Sequence, residues 1–306
     1  MQQPYNPKNE NIQIFVKDKL YPRNEAKVSV FDSSVQGGDA VWEGLRVYDG
    51  RIFFLDQHLD RLYASAKTLA FADIPSKEFI KDAIKQTLKA NDMYTDTHIR
   101  LTLTRGEKVT SGMDPRLNQK GSCLIVLAEF KPPVFDNSKG IKLVTSHIRR
   151  NSPMHLDSKI HHNNLINNIL AKIEANHYGA DAGLMLDNLG FVSETNDCNI
   201  FMAKKGILLT PHADACLTGI TRETTIKLAH ELNIPCVERN ISVSEFYNAD
   251  EVFITGTMGE LTPVYEIDGR VIENKSGSAI RNTLYAAFKK LTITEGEPID
   301  LVVRRF

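Results

Sequence analysis

Two residues stand in surroundings that indicate chemistry, and the first is Lys159. It lies in "LDSKIHHNNL", beside two histidines and ahead of an apolar helical pattern. Most lysines are solvated surface charges. A lysine at the edge of a cleft, however, loses part of its hydration, its pKa falls, and its amine becomes a nucleophile able to form a Schiff base. Lys159 is therefore a candidate nucleophile, with a solvated surface charge as the alternative.

The second residue is Glu194, in "GFVSETNDCNIF". An acidic residue inside a strand-rich, apolar segment requires a partner, because burying an unpaired charge is costly. One interpretation is a structural carboxylate that caps backbone amides of the following turn. The other is a carboxylate bonded to a protonated heterocycle. A pyridine nitrogen that stays protonated makes a pyridoxal ring an electron sink, and a lysine Schiff base accompanies it.

A phosphate-bearing cofactor also needs an anion site, and "LTGITRETTIKLAHEL" offers one. A turn at Gly219 leads directly into a predicted helix. The backbone amides of Ile220 and Thr221, together with the Thr221 hydroxyl, would face an anion there. An ordinary threonine N-cap is the alternative for this segment.

Two further features are candidates for the same phosphate. In "ITGTMGE", Gly256 permits close backbone approach and Thr257 offers a hydroxyl, although the segment alone is a common turn. Arg61, in "LDQHLDRL", would supply a full positive charge, with a solvated helix arginine as the alternative.

Alternating strands and helices are predicted to position these residues. Lys159 lies between the strand-like "IKLVTSHI" and the helical "NLINNILAKIEANHYG", which Gly179 closes. Glu194 follows a turn at Asn188–Gly190, in the second of two strands. The segment "TRETTIKLAHELN" predicts a helix, and "DEVFITGTMGELTPV" predicts a strand followed by a loop.

The N-terminal part has the same mixed character. "IQIFVKDKLYP", "AKVSVFD", "HIRLTLTRG" and "SCLIVLAEF" are typical of strands, and Ser76 is a candidate N-cap for the helix "KEFIKDAIKQTLKAN". "KPPVFDNSKG", residues 131–140, predicts a linker. We therefore expect an α+β protein with a small domain over residues 1–130 and a larger one over 141–306. A cleft between domains is a usual place for a small-molecule site.

Composition excludes several classes of protein. Of 306 residues, 42% are hydrophobic and 25% charged, which is typical of a globular protein. A net charge of -1 favours no nucleic-acid partner. The four cysteines have neither metal-type nor disulfide-scaffold spacing, which favours reduced thiols in the cytoplasm. The sequence shows no secretory signal and no apolar run of membrane-spanning length, so no membrane partner is expected.

The adjacent pair His161 and His162 raises the possibility of a metal site. Neighbouring side chains on one element point apart, so the two rings are poorly placed to chelate one ion. We therefore expect no metal, and one of these histidines to form a hydrogen bond near the cofactor.

Six segments in this order resemble one family. They are "VWEGLRVYDGRIFFLDQHLDRL", "HIRLTLTRG", "SKIHHNNLINNILAK", "GFVSETNDCNIF", "LTGITRETTIKLA" and "DEVFITGTMGELTPV". The chain resembles, over roughly residues 28–290, the class IV (fold-type IV) pyridoxal-phosphate aminotransferases, especially the branched-chain amino acid group. The D-amino acid aminotransferases are close relatives of that group.

The resemblance implies a role for each candidate residue. Lys159 would carry the Schiff base with pyridoxal 5'-phosphate, Glu194 would bond its ring nitrogen, and Leu217 would pack on the ring. The phosphate would be held by Arg61, Gly219, Ile220, Thr221, Gly256 and Thr257. The resemblance also implies a homodimer, with the cofactor between the two domains of each chain.

The substrate pocket departs from the branched-chain pattern. Asn164 replaces a tyrosine that bonds the cofactor's phenolic oxygen, and Gly37 and His98 replace two tyrosines of the pocket. Trp42 stands where phenylalanine is usual, whereas Arg100 keeps the family's arginine. We therefore expect the chemistry of the family, but a substrate pocket whose lining differs from that of the branched-chain enzymes.

By this resemblance we expect transamination between an amino acid, with branched-chain L-amino acids favoured, and 2-oxoglutarate. Arg100 and the backbone amides of Thr257 and Met258 are candidates for binding the substrate carboxylate. Three alternatives share the fold: a D-amino acid transaminase, an (R)-amine transaminase and an aminodeoxychorismate-type lyase. A non-catalytic binding protein on this scaffold is a fourth alternative, which Lys159 and Glu194 disfavour.

Overall fold

The computed structural model describes residues 4–272 and 279–300, and these form two compact units. The N-terminal unit contains residues 4–132, 160–164 and 292–300. The C-terminal unit contains residues 133–159, 165–272 and 279–291. Each unit is assembled from separated stretches of chain. The short segment 160–164 belongs to the N-terminal unit, although Lys159 directly before it belongs to the C-terminal unit. Domains of uninterrupted sequence, such as the expected ranges 1–130 and 141–306, do not include this exchange of chain.

The elements are numbered along the chain. The strands are β1 (Gln13–Val16), β2 (Lys19–Pro22), β3 (Ala40–Tyr48), β4 (Arg51–Ile52), β5 (Thr97–Thr104), β6 (Cys123–Phe130), β7 (Ile141–Thr145), β8 (Ala182–Leu186), β9 (Val192–Thr195), β10 (Asn199–Lys204), β11 (Ile207–Thr210), β12 (Cys236–Glu238), β13 (Glu251–Gly256), β14 (Glu260–Ile267), β15 (Arg270–Val271) and β16 (Glu297–Pro298). The α-helices are α1 (Ser33–Gly37), α2 (Leu55–Thr68), α3 (Lys77–Ala90), α4 (Ile166–His177), α5 (Ile220–Glu231), α6 (Val243–Tyr247) and α7 (Ala279–Thr294).

The N-terminal unit is built on one antiparallel sheet with the strand order β16-β4-β3-β5-β6-β1-β2. Successive side chains of a strand point to opposite faces. On β3, Val41, Leu45 and Val47 are fully buried, and they belong to the same core as Leu59 and Leu62 of α2. The alternate positions of β3 and β5 therefore lie on the face away from this core.

The C-terminal unit is built on a mixed sheet with the order β12-β11-β10-β13-β14-β7-β8-β9, and β15 pairs with β14. The parallel pairs β7–β8 and β11–β12 are each joined through a helix, α4 and α5 respectively. Parallel neighbours require such crossovers, because a tight turn reverses the chain direction. All residues of β8 are buried, so this strand lies in the interior of the unit.

Most elements expected from the sequence are present. The helix that Ser76 was expected to cap begins there, since the Ser76 hydroxyl accepts from the backbone N–H of Phe79. The strands around Asn188–Gly190 are β8 and β9, and Gly179 follows α4 with a φ of 64°. Among the described residues, no helix combines the length and apolar character needed to cross a membrane.

Two expectations are wrong. "AKVSVFD" forms no strand. Val30 and Phe31 are 72% and 42% exposed, so the alternating apolar residues of this segment are not buried on one face. Asp32, at its end, instead caps α1. The segment after Gly256 is not a loop, because β14 pairs antiparallel with β13. The chain reverses over Thr257–Gly259, and Glu260 adopts a φ of 58°, which permits this tight turn.

Candidate active site

Lys159 presents an accessible amine in the C-terminal unit. It lies in the loop between β7 and α4, and its side chain is 44% exposed. Its Nζ donates to the Asp214 carbonyl at 3.3 Å and lies 3.7 Å from Asp157 Oδ1. The exposed-charge interpretation and the nucleophile interpretation both fit this geometry taken alone.

Glu194, on β9, is buried and held by two side chains. Its Oε1 accepts from Arg150 Nε at 2.6 Å, and its Oε2 accepts from Asn199 Nδ2 at 3.1 Å. Burial raises the pKa of Glu194, while the guanidinium of Arg150 opposes that rise. The sequence indicated that Glu194 needs a partner but did not identify Arg150, whose only signal is a basic pair in "IRRN".

Asn199 connects Glu194 to the turn before α5. Its Nδ2 also donates to the Leu217 carbonyl at 2.9 Å. A Cβ on Gly219 would lie 2.1 Å from Asn199 Oδ1, so any larger residue at that position would displace the Asn199 amide. Sequence reasoning missed Asn199, although it named Leu217 and Gly219 on the other side of the contact.

The N-terminus of α5 has the geometry of an anion site. Within the described chain no side chain caps this helix, whose N-cap residue is Gly219. The first backbone N–H groups of a helix have no intrahelical acceptor, and the helix dipole places partial positive charge there. Ile220 and Thr221 open the helix, as the sequence predicted. The interpretation as an ordinary threonine N-cap is wrong, because Thr221 lies inside the helix.

The turn Gly256–Gly259 lies at the end of β13, beside the start of β10. Asn199 and Thr255 are direct partners in the pairing of these strands, and a Cβ on Gly256 would lie 2.8 Å from Cys198 Sγ. The Met258 carbonyl accepts from the backbone N–H of Val134 at 2.9 Å, which fixes the turn. Both candidate phosphate segments therefore flank the start of β10.

Lys159 and the residue before Glu194 both contact the segment Asp214–Ala215: Lys159 Nζ donates to the Asp214 carbonyl, and Ser193 Oγ donates to the Ala215 carbonyl at 3.0 Å. Burial and the Glu194 carboxylate together raise the pKa of the Cys216 thiol to about 12, against the opposing effect of Arg222, Arg150 and Lys159. The structure therefore brings the predicted amine and the predicted carboxylate into the same part of the C-terminal unit.

In the N-terminal unit the main polar feature is a buried carboxylate that the sequence analysis did not single out. Glu43, on β3, is completely buried and receives two bonds from Arg61, Nε to Oε1 at 2.8 Å and Nη2 to Oε2 at 2.7 Å. His58 Nδ1 lies 2.6 Å from Oε2, and His161 Nδ1 lies 3.1 Å from Oε1. Arg61 is therefore not a solvated helix arginine.

The protonation states in this cluster follow from burial and charge. Burial opposes ionisation of Glu43, but His161 and Arg61 hold its pKa well below the usual range. Burial lowers the pKa of His161 to about 4. At neutral pH the carboxylate is thus ionised and balanced by the Arg61 guanidinium, and His161 is a neutral donor. Of the two adjacent histidines, His161 makes a hydrogen bond to Glu43, and its expected place near the cofactor stays a prediction.

Trp42 and Arg100 form a stack beside this cluster. The His161 ring lies 4.1 Å from the Trp42 ring, and Arg100 Cζ lies 3.4 Å from the Trp42 ring centroid. Arg100 Nη2 donates to Asn163 Oδ1 at 2.7 Å. Burial lowers the pKa of Arg100 to about 10, which still leaves it charged at neutral pH. An amide and an aromatic face hold this guanidinium, so a carboxylate would be a favourable further partner.

The remaining predicted pocket residues are placed as follows. Burial lowers the pKa of His98 to about 3, so this histidine is neutral, and it lies opposite Arg46 in the pairing of β3 and β5. Gly37 ends α1, and a Cβ there would meet no atom within 4 Å. Asn164 lies against Gly38. In the part of the chain that the structure describes, no group of three histidine, cysteine or acidic side chains has the arrangement of a metal site.

Comparison with known proteins places this geometry in a family. The family model of amino-transferase class IV matches residues 40–267. Branched-chain-amino-acid aminotransferase-like protein 1 of Arabidopsis thaliana is 60% identical over 96% of this chain, and the chain spans about half, 53%, of that relative's length.

Two solved structures are similar over most of their length. A branched-chain aminotransferase of Thermoproteus uzoniensis with norvaline has a TM-score of 0.87, 29% identity, and coverage of 95% of this chain and 100% of that one. A branched-chain amino acid aminotransferase of Thermobaculum terrenum in its PLP-form (holo-form) has a TM-score of 0.84, 26% identity, and coverage of 95% and 100%. The expected α+β fold of fold-type IV and the resemblance drawn from the six segments are confirmed. The chain belongs to the class IV aminotransferases.

Proposed function

We propose that the protein is a pyridoxal 5'-phosphate-dependent aminotransferase that transfers an amino group from branched-chain L-amino acids to 2-oxoglutarate. The observation that carries this proposal is the arrangement around Glu194. A buried carboxylate is held in place by Arg150 and Asn199, and an accessible amine, Lys159, lies in the same locality.

The described residues fit the cofactor. The uncapped N-terminus of α5 suits its phosphate, and buried Glu194 suits its ring nitrogen. Thr255 Oγ1 is buried and has no hydrogen-bond partner among the described residues, on the strand face that carries Asn199. A bound polar group would satisfy such an atom, since buried polar groups are normally paired.

The chemistry divides between the cofactor and the chain. Lys159 would hold pyridoxal phosphate, which when bound would supply an electron sink for the electrons of the substrate's Cα. Glu194 would hold the proton on the ring nitrogen, and the Arg150 guanidinium favours the ionised form of Glu194 against the effect of burial on its pKa. Once the substrate's amine has taken its place on the cofactor, the freed Lys159 Nζ would remove the proton from Cα as a base and return a proton as an acid. The α5 N-terminus and Arg61 hold the phosphate.

Substrate recognition is assigned to the N-terminal unit. Arg100 would bind the substrate carboxylate. Trp42 and His98 line the pocket, whose side-chain preference is wider than that of a strict branched-chain enzyme. An apolar pocket discriminates by only about 1–3 kcal/mol per methylene, so the room left at Gly37 admits other side chains.

The proposal includes a homodimer in the cytoplasm, as the resemblance implies. Ile166, Ile169, Leu170 and Ile173 of α4 are exposed at helical spacing. An apolar stripe of this kind is typical of surfaces that a partner covers.

A donor screen tests the proposed reaction. We expect amino transfer from leucine, isoleucine and valine to 2-oxoglutarate, with measurable kcat/KM for glutamate and weaker activity on D-alanine. Pyruvate and simple (R)-amines complete the screen. Activity confined to D-amino acids would replace the proposal with a D-amino acid transaminase, and pyruvate release from aminodeoxychorismate without an acceptor would replace it with a lyase.

Arg100→Ala is expected to separate carboxylate recognition from chemistry. The variant should raise KM for amino acids about tenfold or more, because a charge-assisted hydrogen bond contributes about 1.5–3 kcal/mol. The rate with an (R)-amine that lacks a carboxylate should change much less. Steady-state kinetics with both donors measure the difference. An equal loss with both donors would show that Arg100 supports the fold of the pocket and does not bind the carboxylate.

A further inference from the structure

The N-terminal unit contains two cations to which the proposed function assigns anions: Arg61 for the phosphate and Arg100 for the substrate carboxylate. One acid connects them. The Glu43 carboxylate accepts two hydrogen bonds from the Arg61 guanidinium and one from His161. His161 in turn packs on Trp42, which lies against Arg100.

The contact with Arg61 fixes an orientation. A bidentate guanidinium–carboxylate pair holds the plane of the guanidinium as well as its position. His58 Nδ1, 2.6 Å from the same carboxylate, supports the arrangement from α2. Glu43 is fully buried, so water cannot replace it as the partner of these donors.

The contact with His161 fixes a second orientation. The pair places the proton on Nδ1 of a neutral ring and sets the ring plane. The segment that carries His161 is attached to β3 by backbone bonds, from Trp42 N to the His161 carbonyl at 2.9 Å and from Asn163 N to the Ala40 carbonyl at 2.8 Å. Trp42 Nε1 also donates to the His162 carbonyl at 3.1 Å. Trp42 is thus held at its ring face and at its edge.

The last step reaches Arg100. Its guanidinium lies on the Trp42 ring and donates to Asn163 Oδ1. The segment that carries His161 positions both partners of Arg100, because it contains Asn163 and holds the Trp42 ring. A change at Glu43 would therefore reach Arg100 through the rings of His161 and Trp42.

We propose that Glu43 is a positioning residue that couples the two anion-binding cations, orienting Arg61 directly and Arg100 through His161 and Trp42. The inference rests on the proposed function for the identity of the two anions. It predicts that phosphate binding and carboxylate binding weaken together when Glu43 is neutralised. It also predicts that a change at His161 weakens carboxylate binding alone.

Trp42 makes the coupling measurable without turnover, because it is the only tryptophan of the chain. Its emission reports on the ring that touches both His161 and Arg100. Quenching or enhancement of this emission during titration of the holoenzyme with 4-methylpentanoate gives the carboxylate affinity. The protein is also dialysed against a series of pyridoxal phosphate concentrations. The absorbance of the cofactor that it retains gives the affinity for the cofactor, to which the phosphate contact with Arg61 contributes.

Three variants separate the outcomes. Glu43→Gln should weaken both affinities by about tenfold or more, as expected when a charged hydrogen bond is lost. His161→Ala should weaken 4-methylpentanoate binding several-fold and leave cofactor affinity within about twofold of wild type. The matched control is Glu297→Gln, which removes another carboxylate of the same unit that holds two cations, Lys81 and Lys85. It should leave both affinities unchanged.

Two results would overturn the coupling. One is a Glu43→Gln variant with both affinities near wild type and only a lowered melting temperature. The other is a His161→Ala variant that loses cofactor affinity as strongly as Glu43→Gln. If Glu43→Gln does not fold, Glu43→Asp, which keeps the charge but withdraws it by one methylene, should weaken both affinities. A wild-type protein that binds no cofactor would contradict the proposed function. The coupling is judged separately, from the ratio of each variant's affinity to the wild-type affinity.

Discussion

Replacing Lys159 with alanine is expected to abolish measurable transamination. The variant lacks the amine that we propose attaches the cofactor and moves the substrate proton, and a positioned acid–base group alone contributes about 10²–10⁴-fold in rate. Wild-type protein should be yellow, and borohydride should fix the cofactor covalently to Lys159. Peptide mapping after reduction, together with kcat of the variant, measures both effects.

Two controls separate the amine from its charge and from general surface effects. Lys159→Arg keeps a cation in the loop but provides no amine for condensation, so it should be as inactive as the alanine variant. Lys227→Ala removes an exposed lysine of α5 that pairs only loosely with Glu231 and should keep wild-type rates. A reduced cofactor found on a different lysine would refute the assignment of Lys159.

Glu194→Gln is expected to retain the cofactor but to turn over about 10–100-fold more slowly. A neutral amide cannot hold the ring proton as a carboxylate does, and the loss of a charged hydrogen bond corresponds to about 1.5–3 kcal/mol. The structure adds a second effect. Arg150 would lose its charged partner in a buried setting, so the variant should also have a lower melting temperature.

The double variant Glu194→Gln/Arg150→Gln distinguishes these two effects. It removes the unpaired charge, so part of the lost stability should return while turnover stays slow. Recovery of turnover in the double variant would mean that the unpaired arginine caused the defect. Single-variant rates close to wild type would show that Glu194 has only a structural role. Absorbance spectra and thermal unfolding of the same samples complete the comparison.

The tertiary structure changed the interpretation of several residues by supplying their partners. Arg61 had two local interpretations, a solvated helix residue or a phosphate ligand. The contact with Glu43 is made 18 residues away in sequence and is invisible to any helical pattern. Glu43 is in phase with Val41, Leu45 and Val47 on the buried face of β3, but its partners His58 and Arg61 lie on α2 and His161 lies 118 residues away, so the sequence did not show what neutralises it. The failed strand "AKVSVFD" has the same cause, since alternation predicts a strand only where a core covers one face.

The sequence by itself identified the candidate reacting groups and the segments that bear them. Lys159, Glu194 and the Gly219 turn before α5 are local features, in which residue type, a glycine and the start of a helix lie within a few positions of one another. Only the tertiary structure decided how those groups are charged and held. Arg150 meets Glu194 across 44 residues, and His161 meets Glu43 across 118. The charge and orientation of a buried group depend on what packs against it, and that packing is set when distant strands and helices come together.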